Sequence, residues 1–177
     1  MTAQTVIFGC GNILLGDDGF GPAVIEALHD SDLLPEHVEA VDVGTGIREY
    51  LIDYVLSSIG RPQAIVVLDA VDVKGWPPGK LIKIDPVSIP ARKIHDFSLH
   101  QFPTVNLLQE LNQETGIDVC ILAAQIEAIP DHVAPGLSPA MQEAVAGACE
   151  TIIELTQLTP NFRVVSRDQQ ARELTAQ

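Results

Sequence analysis

The chain has 177 residues, of which 46% are hydrophobic, and its 24 acidic against 10 basic side chains give a formal net charge of −14. This length fits a single domain, and the charge would repel a nucleic acid and offers no basic stripe for its phosphates. No apolar stretch approaches the roughly 20 residues that cross a bilayer, and the N-terminus lacks the basic and apolar regions of a signal peptide, so we expect no membrane insertion and a cytoplasmic location.

The first half of the chain predicts alternating strands and helices. Apolar runs predict the strands, and apolar residues at helical spacing predict the helices between them. In chain order these are a strand at 5–8 ending at Gly9, a helix at 19–29, a strand at 38–43, a helix at 48–59 and a strand at 64–68. The third strand is apolar on both faces, as expected for a parallel strand that helices cover on each side.

In the second half of the chain, an edge strand and a long loop are predicted before the alternation of helices and strands continues. Residues 80–84 predict a strand with a polar alternate face, which favours antiparallel pairing at the edge of the sheet. An irregular surface loop at 86–98 leads to His100. The remaining predictions are a helix at 101–114, a strand at 119–124, a helix at 138–158 with Ser138 as N-cap and Pro139 at its first position, and a polar tail at 159–177.

This order of elements predicts an α/β fold. We expect three layers, with helices on both faces of a mostly parallel twisted sheet that has one antiparallel edge strand. Residues 1–158 form the single domain, and residues 159–177 form the tail. Right-handed crossovers put the loops after the first three strands at the same edge of the sheet, where ligands of such folds bind.

Four carboxylates are predicted to converge at that edge. Asp17 and Asp18 follow the first strand, Asp42 ends the second and Asp69 ends the third. Any one of them taken singly is more often a helix cap than a ligand, but several like charges together raise each other's pKa unless a cation compensates. His100, where the long loop enters a helix, adds an imidazole. Asp18, Asp69 and His100 therefore predict a metal site with two oxygen ligands and one nitrogen ligand.

Other site types fit the residues less well. The glycine-rich stretch 9–21 lies between a strand and a helix, but the third glycine that a dinucleotide fingerprint requires is Leu14 here, and two carboxylates near the helix N-terminus would repel a phosphate. Cys10, at the start of this stretch, could be a nucleophile, but no base is assigned to it. An odd number of widely spaced cysteines, each in apolar surroundings, indicates buried thiols at Cys10, Cys120 and Cys149.

Four motifs in this order resemble the hydrogenase maturation endopeptidases, which act on the large subunit of [NiFe] hydrogenases. They are the Gly-x-Gly-Asn-x-Leu-x-Gly-Asp-Asp-Gly-x-Gly run at 9–21, Asp42-Val43-Gly44-Thr45, Leu68-Asp69-Ala70 and Ser98-x-His100-Gln101. The resemblance extends from about Thr5 to Leu158. Within the family, residues 77–130 are most similar to members that process the deazaflavin-coenzyme-reducing hydrogenases of methanogens.

The resemblance implies an α/β fold in which Asp18, Asp69 and His100 bind the nickel carried by the substrate; other divalent cations could occupy the site in vitro. It also implies that Asp42 matters for removal of a C-terminal peptide from the nickel-loaded large-subunit precursor. Nickel suits carboxylate and imidazole ligands, and three protein ligands leave positions open for the partner. Asp42 or Asp17 would then lie beside the scissile peptide, where the metal or a carboxylate activates water.

Two alternatives from other functional classes follow from the same residues. The first is a non-catalytic nickel-binding chaperone, which would hold the immature large subunit through the same edge of the sheet without shortening it. The second is a nucleotide-binding α/β domain, which would bind a dinucleotide whether or not Asp18 is changed.

Overall fold

The sheet has five strands, of which four are parallel. A computed structural model describes the chain over residues 4–86 and 102–158. The spatial order of the strands is β2-β1-β3-β5-β4, and β4 alone runs antiparallel, paired with β5 at the edge. This confirms the predicted mostly parallel sheet with an antiparallel edge strand. The strands are β1 (Thr5–Cys10), β2 (Val38–Gly44), β3 (Ala64–Val71), β4 (Leu81–Ile84) and β5 (Asp118–Gln125).

Helices cover both faces of the sheet, which confirms the three predicted layers. Helices α1 and α4 pack over one face, and helices α2 and α3 pack over the other. The two faces bury separate apolar clusters because the side chains of successive strand residues point to opposite sides. The helices are α1 (Phe20–Ser31), α2 (Ile47–Leu56), α3 (Phe102–Thr115) and α4 (Pro139–Leu158).

The connections of β1 place a crevice at one edge of the sheet. From β1 the chain passes through α1 to β2 on one side, and from β2 it passes through α2 to β3 on the other side of β1. Because the two crossovers run in opposite directions, their helices lie on opposite faces. The carboxyl ends of β1 and β3 are therefore the topological switch point at which open α/β sheets bind ligands.

Two element boundaries differ from the prediction by three residues, and the others differ by at most two. Helix α2 ends at Leu56 rather than at residue 59, because Ser57 has an extended backbone. Strand β3 continues to Val71 rather than stopping at residue 68, so Asp69 lies inside the strand and pairs with Ala123 of β5. The long partner strand extends β3, which the residues of β3 alone do not indicate.

The start of α4 is confirmed at Pro139, with Ser138 directly before it. The Ser138 carbonyl accepts the first helical hydrogen bond from the amide of Gln142. Its hydroxyl donates to Asp17. In the described parts of the chain no helix has the length and apolar character needed to span a membrane. His100, nearly all of the predicted loop at 86–98 and the predicted tail lie outside the described residues.

Candidate active site

The glycine motif is a close-packing motif. A side chain on Gly21 would overlap the backbone of Cys10 and would come within 2.7 Å of the Leu68 carbonyl oxygen, and one on Gly9 would come within 2.7 Å of the Gly21 carbonyl oxygen. The N-terminus of α1 thus rests directly on the ends of β1 and β3. Gly11 has a φ of +129°, and a Cβ there would overlap the Asp18 carbonyl oxygen. These glycines therefore bring the Asp18 backbone against the end of β1.

A short 3-10 helix, Gly16–Gly19, carries the first two carboxylates and was not predicted from the sequence. Asp18 is 3% exposed, and its Oδ2 accepts a hydrogen bond of 2.9 Å from the Asn12 amide. The turn therefore holds the Asp18 side chain back toward the start of its own loop, beside the ends of β1 and β3.

Asp17, the neighbour of Asp18, points to a different part of the protein. Its Oδ1 accepts the Ser138 amide at 2.7 Å, and its Oδ2 accepts the Glu127 amide at 2.8 Å and the Ser138 hydroxyl at 3.0 Å. The side chain is 2% exposed. Asp17 thus bonds to the segment between β5 and α4, and the sequence carries no signal for these partners because they lie more than 100 positions away.

Asp69 is partly buried, and its pKa is raised to about 7. Burial is the main cause, and the negative charge of Asp18 also raises the pKa, whereas the hydrogen bond from the Ala70 amide to Oδ1, at 2.8 Å, lowers it. The structure therefore places Asp18 and Asp69 close enough to interact electrostatically. Because burial and like charge both disfavour ionised Asp69, a bound cation would stabilise this pair of carboxylates.

The Cys10 thiol lies in the field of three of the predicted carboxylates. Burial raises its pKa well above the ordinary value, and the charges of Asp69, Asp42 and Asp18 raise it further. The thiol is therefore protonated near neutral pH, which suits a packed side chain and not a nucleophile. Burial also raises the pKa of Cys120 to about 12, and all three cysteines are free thiols.

Asp42 is exposed and lies on the opposite side of the sheet from Asp69. It is two residues beyond Ala40, which faces α1 and α4, whereas Asp69 is two residues beyond Val67, which faces α2 and α3. The Oδ1 of Asp42 accepts the Gly44 amide at 2.9 Å. Asp42 also lines a cleft of about 560 Å³ beside α1, together with Ile13, Gly19, Glu26, Asp30 and Leu137 among others.

The four predicted carboxylates therefore share one edge of the sheet but not one environment. Asp18 and Asp69 interact electrostatically, Asp42 faces the cleft, and Asp17 is bonded into the protein. Within residues 4–86 and 102–158, no three histidine, cysteine, aspartate or glutamate side chains are placed to hold a metal ion together. The third predicted ligand, His100, lies outside those ranges, so the metal and catalytic roles of all five residues stay predictions.

Comparisons with known proteins agree on one family. The model of the hydrogenase maturation protease family matches residues 22–155. A Methanocaldococcus jannaschii protein assigned to the hydrogenase maturation proteases is 37% identical over 150 residues, which cover 85% of this chain and 92% of the relative. The coenzyme F420 hydrogenase subunit delta of Methanothermobacter thermautotrophicus is 31% identical over 156 residues, covering 86% and 94%.

A solved structure shows the same fold. It is the [NiFe] hydrogenase maturation protease HycI from Thermococcus kodakarensis, which covers 88% of this chain and 93% of its own, with a TM-score of 0.70 and 24% identity. At that identity the likeness concerns the arrangement of helices and strands alone.

Proposed function

The chain belongs to the hydrogenase maturation protease family, and on that premise we propose that it recognises its substrate, the large-subunit precursor of a [NiFe] hydrogenase, through the nickel that the precursor carries. As a member of this family it is an endopeptidase. In the proposal, Asp18, Asp69 and His100 contact the nickel, and cleavage releases the C-terminal extension of the precursor.

The observation that carries the proposal is the Asp18 and Asp69 pair at the switch point between β1 and β3. The two carboxylates interact unfavourably, and the pKa of Asp69 is raised to about 7. A nickel ion presented by the precursor would remove this repulsion and ionise Asp69, so metal-loaded substrate is favoured over metal-free substrate. Carboxylate oxygens are suitable nickel ligands, and an imidazole from His100 would complete the set.

We assign the catalytic carboxylate to Asp42 and not to Asp17. The Asp42 side chain is exposed and lines a cleft of about 560 Å³, so in the proposal it can reach a water molecule at the scissile bond. The oxygens of Asp17 already accept three hydrogen bonds in the protein interior. In the proposal Asp42 accepts a proton from water as the water attacks the peptide carbonyl, which is general base catalysis.

The partner we propose is the large subunit of a hydrogenase that reduces the deazaflavin coenzyme F420. Support comes from the relative named coenzyme F420 hydrogenase subunit delta, which is 31% identical over most of both chains. Competition between two nickel-loaded precursors, one from an F420-reducing hydrogenase and one from another [NiFe] hydrogenase, would test this. Faster processing of the second precursor would contradict the assignment.

Mass spectrometry of a defined precursor, with and without nickel, tests the main proposal. Wild-type protein should release a C-terminal peptide from the nickel-loaded precursor only, and Asp18→Asn and His100→Ala should abolish that release while remaining folded. His132→Ala is the matched control, because His132 is exposed and bonded only to its neighbour Asp131 in the described structure.

Each alternative outcome of this experiment has a distinct meaning. Full processing by His100→Ala or Asp18→Asn would contradict nickel recognition by these residues. Nickel-dependent binding of the precursor with no shortened product would instead match the chaperone that the sequence left open.

A further inference from the structure

We propose that Asp17 is a positioning residue, which acts by holding the loop that carries Asp18. We call residues 12–19 the β1–α1 loop and residues 126–138 the β5–α4 loop. Asp17 joins the two through the three hydrogen bonds described above. Its carboxylate is 2% exposed, so these protein donors, and not water, solvate it.

Other contacts along the same two loops support this role. The Ala134 amide donates to the Leu14 carbonyl at 3.0 Å, and Leu15 forms a parallel bridge with Ala134. Gly16 lies so close to Pro130 that a Cβ on it would be 3.1 Å from the proline ring. The β1–α1 loop is thus packed between the β5–α4 loop on one side and the backbone of Gly11 on the other.

Asp17 can affect the proposed nickel contact because it is covalently next to Asp18, whose side chain accepts a hydrogen bond from the Asn12 amide. Asp18 is the next residue of the same 3-10 helix, and its Oδ2 is oriented by the Asn12 amide at the start of the loop. If the loop shifts, the Asn12 amide and the Asp18 carboxylate move relative to each other. Partners that orient metal ligands in this way typically contribute about 10–100-fold to affinity or activity.

Two acceptor oxygens are required here, so an amide of the same shape is not sufficient. Each oxygen of Asp17 accepts from a backbone N–H, one from Ser138 and one from Glu127. An asparagine has one oxygen and one NH2 group, so in either orientation its NH2 would face one of these backbone donors. One buried N–H would lose its acceptor, which is costly because the group is removed from water.

The test compares four proteins, Asp17→Asn, Ser138→Ala, Asp131→Asn and wild type, by kinetics and amide exchange. Ser138→Ala removes only the hydroxyl bond to Asp17 and should show a smaller effect in the same direction. Asp131→Asn makes the same chemical change as Asp17→Asn on an exposed side chain of the same β5–α4 loop, so it is the matched control.

Asp17→Asn should raise the KM for nickel-loaded precursor about tenfold, with a smaller change in kcat. Its Asn12 amide should exchange at least about tenfold faster, while the Val66 amide in β3 keeps its protection. Asp131→Asn should match wild type in both measurements. If Asp17→Asn does not fold, Ser138→Ala still has to show the Asn12 exchange effect.

Two results would overturn the inference. A large loss of kcat in Asp17→Asn with unchanged Asn12 exchange would make Asp17 catalytic. Unchanged kinetics and exchange at 25 °C, with only a lower denaturation midpoint, would make its role purely structural. The inference rests on the proposed nickel contact of Asp18, so Asp18→Asn is measured in parallel. Wild-type processing by Asp18→Asn would refute that contact, whatever Asp17→Asn shows.

Discussion

The carboxyl ends of β1 and β2 both carry aspartate and glycine residues, but they differ in packing. Asp17 and Asp18 follow β1, Asp42 lies near the end of β2, and the Gly11 amide donates to the Gly44 carbonyl at 2.9 Å. After β1, Gly11 contacts the Asp18 backbone, and Asp17 is buried. At the end of β2, a Cβ on Gly44 would meet only the Gly11 carbonyl at 3.8 Å, and Asp42 is exposed.

In the proposed function, this difference corresponds to a division of roles at one edge of the sheet. The packed segment after β1 holds buried Asp18 near partly buried Asp69, and the pair would bind the nickel of the precursor. The open end of β2 leaves Asp42 exposed, so that it could act as a base on water. The predictions below test that division, from the largest expected effect to the smallest.

Replacement of Gly11 by alanine should have the largest effect, because its Cβ would overlap the Asp18 carbonyl oxygen. We expect a loss of at least about 3 kcal/mol in the free energy of unfolding. Gly44→Ala should cost only about 1 kcal/mol, since its φ of +51° is unfavourable for alanine but no atom blocks the side chain. Urea denaturation of both variants measures this, and equal losses would mean that the backbone is equally constrained at the ends of β1 and β2.

Asp42→Asn should reduce the rate of precursor processing by at least about 100-fold, because an amide cannot accept the proton of water. Stability should change by less than about 0.5 kcal/mol, since asparagine can still accept the Gly44 amide. Asp30→Asn, in the same cleft, is the control for loss of charge. A similar rate loss in both variants would point to the charge of the cleft instead of to a base.

Asp69→Asn should change how the stability of the metal-free protein depends on pH. The pKa of Asp69 is raised from 3.8 to about 7, so the Asp69 carboxyl group binds a proton more tightly in the folded protein than in the unfolded chain. This stabilisation is complete below pH 3.8 and is lost as pH rises through about 7.

Denaturation at pH 5 and pH 8 measures the effect of Asp69. The fall in stability between these pH values should be smaller in Asp69→Asn by about 1–3 kcal/mol, less than a full conversion of the shift because the side chain is partly exposed to solvent. An equal decrease in the free energy of unfolding in the variant and the wild type would show that the pKa of Asp69 is not raised in the folded protein.

Cys10→Ala should have the smallest effect on catalysis, although the thiol lies among Asp18, Asp42 and Asp69. We expect most of the processing rate to remain, with a stability loss of about 1 kcal/mol from the small cavity. Kinetics on nickel-loaded precursor measures it. Complete loss of activity in a folded variant would reinstate the thiol as a nucleophile.

Much of the fold was predictable because local patterns reflect it directly. The apolar runs of β1, β3 and β5 correspond to buried parallel strands, and the shorter β4, which contains Lys83, corresponds to the edge strand. The boundary of β3 was not predictable, since pairing with β5 extends it to Val71. The 3-10 helix at Gly16–Gly19 was missed because four residues carry no periodicity.

The sequence by itself determined the order of elements and the edge at which the carboxylates gather, because strand direction and crossover handedness follow from local chemistry. Only the tertiary structure decided their separate environments. Which face Asp42 and Asp69 occupy depends on strand register, and the burial of Asp17 depends on amides 110 and 121 positions away. Hydrogen bonds and electrostatic interactions act over a few Å in space, and distance along the chain does not reveal that proximity.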